Sequence, residues 1–254
     1  MKSNYFGFAN FIKKSFVALA TIAFIAGGFF APSTAMAVVN VAAATNGTGI
    51  SADKAANSTN PAGGAFTALG NIVITEVDKA DISKNGTFTI APPTGWTFDT
   101  TGVTTLVTGG LVVDVMSQTP ALLTLAISGK NNSQHESFTI VGLQVRATNG
   151  ANLLASGNIT RAGGTAVVNG ITNDVTNFGS LSQVVGAFSP TVSTVVISTG
   201  TVTTDGGVST VTVTVKDQFG NPIPGIFPVI SATGSGNTIV QPTVATNVLG
   251  QTTG

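Results

Sequence analysis

From Val38 onward apolar side chains recur at every second position, in short runs separated by Gly, Asn, Asp and Pro, and no 3.6-residue period is sustained anywhere. Successive side chains of a strand point to opposite faces, so a period of two builds a sheet with one apolar face and excludes amphipathic helices. The clearest case is Ser209 to Lys216, where Val211, Val213 and Val215 alternate with Thr210, Thr212 and Thr214. Strands are predicted likewise over Asn71 to Thr75, Thr87 to Ala91, Leu122 to Ser128, Phe138 to Ala147 and Val192 to Ser198, with turns at Asn85-Gly86 and Thr148-Asn149-Gly150. Many short strands joined by turns predict an all-β fold of tandem β-sandwiches rather than a parallel α/β sheet.

Such sheets need a polar outer face, and here it cannot be ionic. Charged residues make up 8% of the chain against roughly 25% in an ordinary soluble protein, so Thr, Ser, Asn and Gly must supply the wetted surface. Val, Ile, Leu and Phe are plentiful enough to build cores, which argues against disorder. With no cysteine, disulfides and thiolate metal sites are excluded and stability has to come from packing.

The N-terminus is of another kind. Lys13 and Lys14 precede an almost wholly apolar run, Ser15 to Phe30, and Pro32 leads into Ala35-Met36-Ala37. This is the charged, apolar and small-residue order of a secretory signal peptide; the run is shorter than the roughly 20 residues that span a bilayer. Met1–Ala37 is therefore read as a leader cleaved after Ala37, giving a secreted or cell-surface product with no integral membrane span in the mature chain. Removing Lys2, Lys13 and Lys14 leaves seven basic and ten acidic residues, no basic patch, and no expectation of a nucleic-acid partner. A boundary is expected near Ser189-Pro190, dividing the remainder into a sandwich domain, 38–188, and a second domain, 189–254. The Ala-, Asn- and Gly-rich stretch Ala42 to Gly64 fits either a mobile lead-in or irregular edge segments.

The second domain carries Gly206-Gly207 after Thr204-Asp205, the Val/Thr strand through Val215, then Lys216-Asp217-Gln218-Phe219-Gly220-Asn221-Pro222-Ile223-Pro224-Gly225, and finally Thr246-Asn247-Val248-Leu249-Gly250-Gln251. In these residues it resembles the bacterial immunoglobulin-like domain of group 1, the Big-1 module of invasin- and intimin-type surface proteins. Gly220 and Gly225 suit positive φ, and Pro222 and Pro224 hold the connection extended, so the central block reads as a shaped turn. Pro228 departs from the pattern, falling where the family has an ordinary strand residue; an edge or bulged strand is expected there, with Phe227 exposed. The resemblance covers about 65 residues of a module that runs to about 100, so the domain is expected to be incomplete. The first domain, at Gly70 to Glu76, Gly86 to Phe98 and Gly142 to Ala147, resembles the Thr/Gly-rich sandwich repeats of large bacterial surface proteins. Together these resemblances imply a structural or adhesin-like role as a stalk or adhesive segment. The implied partners are a surface receptor, a glycan or neighbouring immunoglobulin-like modules.

Catalytic groups are scarce. His135 is the only histidine and lies in the polar stretch Lys130 to Glu136, read as an exposed loop, so a Ser-His-Asp set is not expected. Neither a nucleophile elbow nor a phosphate loop occurs, and no cofactor or metal is implied. Glu76, Asp78 and Asp81 are near one another in sequence, but Glu76 and Asp78 read as charges on a solvated strand end; a calcium loop of adequate oxygen count is missing. Asp205 and Asp217 read as turn residues. A Lys-Asn crosslink drawn from Lys79, Asn71 and Glu76 is the less favoured reading of that segment. Trp96 is the one candidate ligand contact, because a lone tryptophan can stack on a sugar; core or rim packing is the plainer reading. The chain is thus expected not to be an enzyme, with a carbohydrate-binding or accessory region of a larger secreted enzyme as the alternative.

Overall fold

Gly142 breaks what the sequence presents as one strand, Phe138 to Ala147, into two. Its φ is +80°, and a Cβ there would come 2.6 Å from the carbonyl oxygen of Gly102. Glycine alone tolerates that corner, and the chain leaves it in a different sheet. The structure is a computed structural model that describes residues 38–254 apart from 60–62, 100, 130–133 and 204–205; the leader and Asp205 lie outside the described residues.

In chain order the first strands are β1 (Asn40–Ala42), β2 (Ile50–Ser51), β3 (Thr67–Ala68), β4 (Ile72–Thr75), β5 (Gly86–Ala91), β6 (Trp96–Phe98), β7 (Thr104–Thr108), β8 (Leu111–Gln118) and β9 (Leu123–Gly129). They are followed by β10 (Ser137–Val141), β11 (Gln144–Ala147), β12 (Gly157–Gly163), β13 (Gly179–Leu181), β14 (Gln183–Val184), β15 (Thr194–Ile197), β16 (Val211–Thr214) and β17 (Gln251–Thr253). Two larger sheets, ordered β1-β4-β10-β7 and β13-β12-β5-β9-β8, are joined by a smaller one, β3-β11-β6, and by the parallel pair β14-β2. No helix of the described residues is long and apolar enough to cross a membrane.

The period-two pattern does what it predicts. Ile72 and Ile74 of β4, Phe88 and Ile90 of β5, Leu123, Leu125 and Ile127 of β9, and Phe138 and Ile140 of β10 all point into one core. Phe88 meets Phe138 edge-on, with centroids 5.8 Å apart and planes at 75°, and it meets Phe178 at 5.8 Å and 88°. Because β5 and β10 belong to different sheets, the first of these contacts ties the two layers together. Each fully buried Phe contributes about 1.5–3 kcal/mol by apolar burial. The Ala42 to Gly64 stretch packs as irregular edge structure: Ile50, Ala52 and Ala55 are buried, and Ser51 Oγ accepts from Asp53 N to cap a short 3-10 turn, Ala52–Lys54.

Beyond Val184 a second, smaller hydrophobic cluster forms from Val213, Val215 and Ile223, flanked by Val185, Val211 and Ile230. Its single sheet is ordered β15-β16-β17. Its edge strand β15 is exposed on both faces, Val195, Val196 and Ile197 all being open to solvent. Around Pro228 the expectation of a strand fails: residues 226–230 form none, since Ile230 N donates to the Gln241 side chain rather than to a ladder. Phe227 is 64% exposed, as the sequence predicts.

Candidate joint between the sandwich and the C-terminal sheet

Lys216 to Gly225 does form a turn, with Gly220 at φ +84° and Gly225 at +82°. Asp217 organises it. This residue has no exposed surface; its Oδ1 accepts from Phe219 N and Asn221 N, both at 2.9 Å. An aspartate that bonds backbone amides two and four residues on is an Asx-type turn, which agrees with the sequence reading.

The turn also grips the large sandwich, which sequence reasoning missed. Asp217 Oδ2 accepts from Gly186 N at 2.9 Å and from Asn221 Nδ2 at 2.8 Å, and Asn221 Nδ2 donates to Gly150 O at 2.8 Å. Gln218 Nε2 donates to Asp53 Oδ1 at 2.7 Å and to Ser58 Oγ at 2.9 Å, while its Oε1 accepts from Thr59 N and Oγ1, each at 3.0 Å. The other Asp53 oxygen accepts from Ala187 N at 2.7 Å. Phe219 packs against the larger core, so closely that a Cβ on Gly150 would lie 2.2 Å from its ring. A buried carboxylate bonded to several amides is strongly directional, so these bonds orient the turn against the sandwich. The asparagine and aspartate spacing announces a turn; the partners at 53, 58, 150 and 186 are too distant in sequence to be read from it.

The remaining candidates fall elsewhere. Glu76 is 4% exposed and does not mark a solvated edge: its two oxygens accept from Ile82 N and Glu136 N, both at 2.9 Å. The physical reason is that the chain turns back beside β4, leaving backbone donors that need an acceptor away from water. Asp78 is exposed, whereas Asp81 is 3% exposed and accepts from Asn169 Nδ2 at 2.9 Å and from Asp78 N at 2.8 Å. Burial pushes the Asp81 carboxyl up, but the hydrogen bonds, with help from the charge of His135, outweigh it and hold the pKa below the ordinary 3.8. Glu136 is buried in an ion pair with Lys84 at 2.9 Å. Asn71 and Lys79 are exposed, and Glu76 is committed to the two amides, so the crosslinking set is not assembled. His135 lies exposed in a loop.

Trp96 is 4% exposed, set in β6 opposite Ala147 as part of the core. Its indole therefore presents no platform to a sugar, and the plainer packing reading accounts for it. Arg161, 7% exposed, points inward from β12, lying 5.1 Å over the Phe88 ring and donating to the carbonyls of Gly163, Gly164 and Ala166. Burial disfavours the charged guanidinium and lowers its pKa from the ordinary arginine value.

The fold and the joint define a class, an all-β chain of sandwich construction whose C-terminal sheet is clamped to the main body. No protein-family model matches the chain, and no curated protein matches it. Among solved structures, similarity is found to the collagen-binding domain of a Staphylococcus aureus adhesin, at 15% identity over 48% of this chain and 89% of that one, TM-score 0.27. It is also found to the Escherichia coli adhesin FdeC, at 15% identity over 85% of this chain and 53% of that one, TM-score 0.30. At TM-scores this low neither alignment establishes a common architecture.

Proposed function

We propose that this chain is an exported, non-enzymatic bacterial surface protein in which sandwich units in series form a stalk or adhesive segment, the C-terminal part being a Big-1-type immunoglobulin-like unit. The observation that carries this reading is the joint: a buried bond of Asp217, part-buried bonds of Gln218 and the packing of Phe219 hold the C-terminal sheet on the sandwich. A hinged enzyme accessory has no need of such a clamp, whereas a spacer that must keep its reach does. The leader sequence and the sparsely charged, Thr-rich composition support export. The carbohydrate-binding alternative rests on Trp96, and the burial of that side chain takes its support away.

The test is protease shaving of intact cells that express the full chain, with fractionation alongside. Release of fragments from residues 38–254 into the medium is expected. Recovery of the intact protein in the cytoplasm would refute the proposal.

A further inference from the structure

The C-terminal sheet has two edges, and they are finished differently. At β17 the chain itself takes up the outward groups of Gln251: Asn247 Oδ1 accepts from Gln251 N at 3.1 Å, and Asn247 N donates to Gln251 O at 2.9 Å. At β15 the ladder leaves its outer side bare. Ser198 N donates to Thr210 O, so by alternation Thr194 and Val196 face β16, and the N–H and C=O groups of Val195 and Ile197 turn outward. No hydrogen bond meets these groups among the described residues. Natural edge strands are commonly blunted by a charge, a proline or a bulge. Here the register with β16 runs unbroken, Thr194–Ile197 holds no proline, and residues 180–203 carry no charged side chain.

We propose that β15 pairs antiparallel with β15 of a second copy of this chain, about a two-fold axis at Val196. The register follows from the open groups. Outward residues must stand opposite one another to exchange bonds, so Val195 faces the partner's Ile197, Ile197 faces the partner's Val195, and Val196 faces its own equivalent. Every facing pair is then apolar and β-branched, which favours cross-strand packing. The partner's Ile197 stands on the same face as Val195, beside the open groove that Val195 lines with Phe188, Val213 and Ile226. Charge argues for a second copy as the occupant: it brings no repulsion to this uncharged edge, whereas a charged strand finds no counter-charge there. Val195, Val196 and Ile197 are 67%, 59% and 52% exposed. With their backbone they offer on the order of 400 Å² per copy, about half of a standard interface, so the contact is reversible rather than permanent.

The chain has no cysteine, so single cysteines report the register. Residues facing each other at the axis have Cα atoms about 4.5 Å apart, within disulfide reach, while diagonal neighbours are about 7–8 Å apart and beyond it. Under mild oxidation the full chain carrying V196C should cross-link to a dimer, as should V195C mixed with I197C. V195C alone, whose copies stand diagonally, should cross-link at least ten-fold more slowly. Sedimentation velocity of the unsubstituted chain, from micromolar to submillimolar concentration, should show a reversible monomer–dimer equilibrium. V196K sets two like charges on the axis and should weaken it at least ten-fold with unchanged circular dichroism. If V196K does not fold, I197P, which removes an outward N–H and leaves the β16 ladder intact, should weaken it three-fold or more. A monomer at every concentration, association that the folded variant leaves unchanged, or V195C cross-linking as fast as V196C would overturn the assignment.

Discussion

Replacing Asp217 with Ala removes a buried acceptor from four donors at once. Three of those bonds, to Gly186 N, Asn221 N and Asn221 Nδ2, are buried, and the fourth, to Phe219 N, is partly so. A buried donor left unsatisfied costs about 1–3 kcal/mol; water entering the vacated space will recover some of this, so the loss is about 3–5 kcal/mol. All but one of the donors belong to the turn, hence the damage should fall on the C-terminal sheet. Trp96, the single tryptophan, sits in the larger core and reports that core by its emission in urea, while hydrogen exchange of Val211–Thr214 reports the sheet. At 1.4 kcal/mol per factor of ten, protection of β16 should fall roughly a hundred-fold to a few thousand-fold. The Trp96 midpoint should move much less. Asp217→Asn keeps the Oδ1 bonds but turns an amide toward Gly186 N and Asn221 Nδ2, so it should lose about half as much. Protection unchanged within ten-fold, or both probes shifting together by equal amounts, would refute the account of the joint.

The Asp81 carboxyl has a folded pKa below its unfolded value, so its stabilisation is complete above pH 3.8 and lost as pH falls through the lower folded value; acid unfolding of Asp81→Asn should show a flatter limb in that window. Arg161→Ala leaves three carbonyls without their donor and the Phe88 ring without its cation, and should cost about 2–4 kcal/mol in urea with the Trp96 midpoint reporting it. Gly150→Ala drives a methyl into the Phe219 ring; loss of about 1–3 kcal/mol is expected, seen first as faster exchange at Phe219 to Asn221. Residues 189–254 expressed alone keep only three buried apolar side chains in their cluster and lose every bond to 53, 58, 150 and 186, so weak exchange protection is expected, whereas 38–188 should remain protected.

Strand content was legible because it is local. Thr87 to Ala91, Leu122 to Ser128 and Val192 to Ser198 each reappear within a residue or two, since alternation records which side chains will be dry. Asn85, at φ +66°, shows the turn its side chain advertises. Illegible features were those decided by distant partners. Glu76 looks like a solvated charge until Glu136, sixty residues away, places a bare amide beside it. Phe138 to Ala147 looks continuous, and only the proximity of Gly102 makes Gly142 a corner. The joint is the clearest instance: the Asp217 turn was readable, but nothing near it in sequence names Gly150 or Asp53. A buried polar group can be suspected from one end of a bond and identified only from both.

The parallel pairing at the end of the sandwich has a mechanical consequence. Ile50 and Ser51 lie in register with Gln183 and Val184, and Ala44 makes a parallel bridge with Gly179, so the entering and leaving segments of the sandwich run side by side in the same direction. Tension applied from one end of the chain to the other pulls these segments past each other along their length. The connecting hydrogen bonds, Ile50 N to Ser182 O and Ala44 N to Phe178 O, are then strained together in shear rather than opened one after another like a zip. Such a clasp yields slowly under load whatever the equilibrium stability of the strands around it, because forced unfolding is governed by the barrier and not by the depth of the well.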